Sequence, residues 1–126
     1  MENKRLIQIA ALLGALAVGI GAFGAHGLAG ILLETGRTDT FETGVKYHFY
    51  HSLTMLVIGI WSYYKPEANH LKFAFWSFFT GILIFSGSLY TLSLTGINFL
   101  GAITPLGGVA FILGWILIIR SANSLK

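Results

Sequence analysis

The side chains able to do chemistry are few, and most of them fall at one level of the chain. His26, Tyr47, His48, His51, Tyr90 and Thr104 are the candidate binding residues. An imidazole can ligate a metal, carry a proton near neutral pH, or simply hydrogen-bond. His48 and His51 stand three residues apart and so share a helix face. Ser52, Met55 and Gly59 continue that face, whereas Tyr50, Leu53 and Val57 lie off it. The shared face is the smaller and more polar one, which suits the interior of a helix bundle. His26 ends a long uncharged run that begins at Leu6, within the stretch Gly-Ala-Phe-Gly-Ala-His-Gly-Leu at Gly21–Leu28.

Four chemistries fit such a histidine layer. Neutral imidazoles can bond to Tyr, Ser, Thr or backbone carbonyls and fix the register between helices. A metal site would draw on His26 and His51, with Glu42 converging, and two bundle histidines could instead hold a haem axially. The layer could also line a pocket for an amphipathic lipid or a quinone. Finally, histidine suits proton-linked transport or a pH switch. The first reading is preferred, because ligands from three helices at matched spacing are not visible, so no cofactor is expected and haem or metal is the alternative.

Catalysis finds little support. The chain has no cysteine, which removes disulfides, thiolate metal ligands and thiol nucleophiles together. Ser52, Ser86 and Ser88 lack an acid–histidine pattern that would nominate a nucleophile. The glycine-rich blocks neither follow a strand nor contain Lys-Ser/Thr, so phosphate-loop readings fail. No catalytic residue is expected.

The elements that carry these residues are membrane-like. Of 126 residues 55% are hydrophobic and 10% charged, against about 25% charged in soluble domains. The eight Lys and Arg residues are scattered, with no basic stripe to follow a phosphate backbone, so no nucleic-acid partner is expected. The apolar runs predict an all-α integral membrane bundle of four helices, about 6–26, 40–64, 71–94 and 99–120, forming a single transmembrane domain over 1–126. Ala15-Leu16-Ala17 resembles a signal cleavage site, but the apolar run continues through it, so a retained helix is expected. Asp39 with Glu42 fits a capping box near Thr38–Thr40, Lys65-Pro66 ends the second helix, and Thr95-Gly96-Ile97-Asn98 breaks the last two. Pro105 predicts a kink or a wide first turn in the fourth. Four spans put both termini on one side together with Lys4, Arg5, Lys65, Lys72, Arg120 and Lys126, against Arg37 and Lys46 opposite. That bias makes the termini cytoplasmic.

Helical rise then sets depth. His26 lies about 30 Å from Leu6, His51 and His48 about 20 and 24 Å from Tyr64, Tyr90 about 28 Å from Leu71, and Thr104 about 22 Å from Ile119. Counting from four ends therefore places these side chains in one outer layer. Gly14, Ala17, Gly21 and Ala25, with Gly107 and Gly108, are the expected helix-packing positions, which makes the first helix the expected centre of the bundle. Trp61, Tyr63, Tyr64, Trp76 and Trp115 read as an inner aromatic belt. The phenylalanines from Phe73 to Phe85 read as lipid-facing or packing residues.

Gly21–Leu28 (GAFGAHGL), Tyr47–His51 (YHFYH), Gly87–Tyr90 (GSLY) and Thr104–Gly108 (TPLGG) together resemble the small four-span bacterial membrane proteins called YgdD-like. The resemblance covers nearly the whole chain, and its first block is the most specific. It implies a multi-pass plasma-membrane protein without an assigned activity, with Tyr47 and His51 belonging to the family pattern and His48 less so. The expected role is structural or accessory, with the lipid bilayer and either further copies or a larger membrane complex as partners. The alternative is a binding or transport protein that uses the outer His/Tyr layer.

Overall fold

The computed structural model describes residues 2–125, and every regular element among them is helical. Helix α1 spans Glu2–Ala25, a short α2 spans Ala29–Thr35, and α3 spans Thr38–Tyr64. Helix α4 (Asn69–Gly81) runs through a π turn at Ile82–Ser86 into α5 (Gly87–Thr95). A 3₁₀ turn at Asn98–Ala102 leads into α6 (Thr104–Asn123).

Three of these stretches are long and apolar enough to cross a membrane: Glu2–Ala25, Asn69–Thr95 and Asn98–Asn123. Helix α3 has the length, with 27 residues, but its histidines, tyrosines and serines dilute its apolar content. It also meets more of the other elements than any other helix does, namely α1, α2, α4, the π turn and α5. Helix α1 packs antiparallel along α3. Asn3 Nδ2 donates to the Ser62 carbonyl at one end (2.8 Å), Gly21 lies against Val45, and Gly24 against Phe41 at the other. Helix α4, the π turn and α5 also pack on α3, and α6 packs along α4. The expectation that α1 is the packing centre is therefore corrected. Helix α1 is apolar nearly all round but buries one stripe, Leu6, Ala10, Leu13, Ala17 and Gly24. Helix α3 buries residues on sides that meet both α1 and α4, because its polar groups have to be taken out of contact with lipid.

The apolar core lies toward the α1 start, α3 end and α4 start, where Leu6, Met55, Ile58, Leu71, Phe75 and Phe78 are buried together with Phe111 from α6. The one ion pair among the described residues, Lys72 with Glu2 at 2.6 Å, ties α4 to α1 at this end. Both side chains are exposed, so water and salt screen the pair and it adds little to stability.

Several local expectations change. The polar connection after His26 contains α2, which Thr35 fastens to α5 by donating to the Ser93 carbonyl at 2.7 Å. Asp39 and Glu42 do not form a capping box: Arg37 is the N-cap, without a side-chain cap bond, and Thr43 donates to the Asp39 carbonyl from inside the helix. Gly96 has φ +71 and closes α5, because the left-handed conformation there suits a residue without Cβ. Pro105 stands in the first turn of α6, where its missing N–H breaks no helical bond, so the wide first turn rather than the kink is found. The irregularity lies instead in the preceding span, as the π turn. There one additional residue per turn rotates everything beyond it by about 100°.

Candidate functional site

The His/Tyr layer is built mainly on α3, at the level where the π turn of the opposite span meets α6. The face expected to point inward does so: His48, His51, Ser52, Met55 and Gly59 are buried, and Tyr50, Leu53 and Val57 are exposed. Within that level the candidate residues divide into three groups.

His51 belongs to the first. Its ring stacks on Phe111 of α6 with centroids 3.7 Å apart and planes 6° from parallel. Tyr47 lies one turn away on α3, 40% exposed, and its ring faces His51, Phe85 and Phe111. Trp115 Nε1–H donates to His51 Nε2 at 3.3 Å, and His51 Nδ1 lies 2.7 Å from the Tyr47 carbonyl. The indole has only a hydrogen to give, so Nε2 must be the acceptor and Nδ1 must carry the proton it donates to the carbonyl. Both ring nitrogens are thereby engaged in one neutral tautomer. No lone pair is left for a metal.

The second group is His48 with Tyr90. His48 Nδ1 and the Tyr90 hydroxyl are 2.9 Å apart, linking α3 to α5. His48 Nε2 is buried without a hydrogen-bond partner. The third group is Ser88 with Thr104, whose hydroxyls are 2.6 Å apart and join α5 to α6. Ser86 adds a further tie by donating to the Gly44 carbonyl of α3 at 2.7 Å. Its replacement by alanine is expected to cost about 0.6 kcal/mol and at most about 1.7 kcal/mol, the average and maximum for hydrogen bonds between membrane helices. Unfolding of Ser86→Ala in mild detergent or bicelles measures it.

His26 joins none of these groups. It sits exposed in the turn between α1 and α2, where its backbone N–H bonds to the Phe23 carbonyl. Among the described residues no three His, Asp or Glu side chains converge as a metal would need. The proposed set of His26, His51 and Glu42 therefore does not assemble.

The expected packing positions also separate. Ala17 is buried, Gly21 touches Val45, and Gly107 is buried so tightly that a Cβ would fall on the Phe85 backbone. A Cβ on Gly14 or Gly108 would meet open space, and Ala25 is exposed, its neighbour Gly24 making the contact with Phe41. Other close approaches pair a glycine with an aromatic ring on the next helix: Gly44 with Tyr90, Gly81 with Phe111 and Gly114 with Phe78. Phe111 and Trp115 were not among the candidate site residues. Their signal was the spacing Gly107, Phe111, Gly114, Trp115 on α6, which places small and aromatic residues on one face.

The chain matches, over residues 20–108, the family described as "Protein of unknown function (DUF423)". It belongs to that family. Among curated proteins it is 48% identical to the UPF0382 membrane protein YwdK of Bacillus subtilis over 119 residues, 94% of this chain and 96% of the relative. It is 47% identical to the UPF0382 membrane protein SAB0533 of Staphylococcus aureus over 116 residues, 92% and 93% of the two chains. No solved structure matches. The relatives are named as membrane proteins, which agrees with the three apolar helices found here. The match is to a family of unassigned function, as the motifs imply, and it carries no YgdD-like label.

Proposed function

We propose that this DUF423 member is a four-span, multi-pass protein of the plasma membrane with both termini in the cytoplasm, acting without catalysis as a structural or accessory component. The observation that carries the reading is the closure of the His51 site. Its two nitrogens and its ring face are all taken up by groups from α3 and α6. A polar layer bonded in this way holds helices in register, and a protein so held can support further copies of itself or a larger membrane complex. Helix α3 serves as the fourth span. Its 27 residues rise about 40 Å, enough to cross a hydrocarbon core of about 30 Å with its first turns outside.

Orientation has a direct test, because the chain has no cysteine of its own. With single cysteines at Thr38 and Asn69, an impermeant thiol reagent added to intact cells should label the first and spare the second. Labelling of Asn69→Cys from outside would reverse the topology.

A second reading is favoured by His48, whose Nε2 is buried without a partner while Nδ1, across the ring, meets the Tyr90 hydroxyl. A transported proton or a polar ligand would use that nitrogen. Proteoliposomes that pass protons with the parent chain and not with His48→Ala would favour it over the accessory role.

A further inference from the structure

We propose that the groove between α1 and α3, on the face of the bundle that Lys46 borders, is a binding site for one phospholipid with a zwitterionic ethanolamine headgroup. The proposal rests on the membrane-spanning reading above.

Two cavities of about 170 and 270 Å³ share Gly21, Val45 and Lys46 and so form one continuous groove. Its lower part runs beside Ala17 and Val18 of α1, and small side chains there leave room for an acyl chain. Its upper part is bordered by Thr38, Glu42 and Lys46 of α3. From Ala17 to Ala25 the groove follows α1 for about 12 Å. Its depth matches a lipid. Lys46 lies about 27 Å along α3 from Tyr64, at the edge of a core of about 30 Å, where an ammonium group can reach the phosphate level.

Charge decides the headgroup. Glu42 and Lys46 stand one turn apart on the same face and are both exposed, and they form no ion pair with each other within 4.0 Å. A phosphoethanolamine presents the complementary pair, a phosphate for Lys46 and a primary ammonium for Glu42. The phosphate can take a charge-assisted hydrogen bond from Lys46, and the ammonium can give one to Glu42. A choline headgroup has no N–H to donate, and a glycerol headgroup has no cation for Glu42.

The test is native mass spectrometry of the full chain, released from mild detergent and equilibrated with ethanolamine, choline and glycerol phospholipids of identical acyl chains. The ethanolamine lipid should be retained about tenfold better than either of the others, equivalent to about 1.4 kcal/mol. Glu42→Gln should remove that preference while retaining lipid, and Lys46→Gln should weaken retention of all three. Ala22→Trp, an exposed substitution beside the acyl part, should lower retention without changing the headgroup order. Equal retention of the three lipids, or an undiminished preference in Glu42→Gln, would overturn the proposal. Thiol labelling that reversed the topology would leave these retention results standing, so failure of the orientation and failure of the groove are separable.

Discussion

Gly107→Ala is expected to destabilise the protein by about 2–3 kcal/mol, near the upper end for inserting volume into a packed interior. The cause is backbone meeting backbone. A Cβ on Gly107 would fall on the nitrogen and Cα of Phe85, at the π turn, and neither can swing aside as a side-chain tip could. To admit the methyl group, α6 has to move away from the span beside it. That movement would also disturb the stack of Phe111 on His51 and the hydroxyl pair of Ser88 with Thr104. Gly108→Ala provides the control. Its Cβ would enter open space, and alanine is intrinsically favoured over glycine in a helix by about 1 kcal/mol. The second variant should therefore match or exceed the parent in thermal unfolding, while its neighbour falls well below. Equal effects at the two positions would mean that α6 does not approach the π turn as described.

His51→Ala should lower stability by roughly 3–5 kcal/mol, comparable to removing a buried aromatic side chain. It removes the ring stacked on Phe111 and leaves the Trp115 N–H without its acceptor. His51→Phe separates the two losses. The stack is retained and the acceptor is gone, so the expected cost is about 1–3 kcal/mol, that of a polar group left unpaired. His26→Ala, on an exposed turn, should change stability by less than about 0.5 kcal/mol. Unfolding of the purified variants measures the order, alanine at 51 worst, then phenylalanine, then alanine at 26. A site held by a ligand would rank them differently, because phenylalanine could not replace a ligating nitrogen and would be as damaging as alanine.

How much of this could be read without coordinates follows the range of the interactions involved. Helical periodicity on α3 already separates His48, His51, Ser52, Met55 and Gly59 from Tyr50, Leu53 and Val57, because residues three and four apart share a face whatever packs on it. The break at Thr95–Asn98 is local in the same sense, since a glycine at positive φ closes a helix by its own geometry. The apolar lengths of α1, of Asn69–Thr95 and of Asn98–Asn123 are properties of composition, and they suffice for a membrane assignment. Helix α3 shows the limit of that argument. Its polar residues lower its apolar content, and only the helices packed on its His48/His51 face explain how such a segment can join the bundle.

Partner choice is long-range, and there one sequence is not enough. His26 and His51 both count into the outer part of the bundle, about 30 and 20 Å along their helices, but depth says nothing about direction. The turn at the end of α1 leaves His26 exposed, while α3 carries His51 onto Phe111. The π turn adds a second barrier. By rotating α5 about 100° relative to a regular helix, with Ser86 inside the turn, it sets the phase in which Tyr90 meets His48 and Ser86 meets Gly44, contacts that a 3.6-residue repeat continued from Leu71 would misplace. The chain alone thus determined helical character, membrane affinity and the inward face of α3, since each depends on neighbours within about one turn. Which histidine meets which ring, and whether a glycine faces a backbone or open space, was decided by how the helices pack. A shift of one residue in phase changes every such contact.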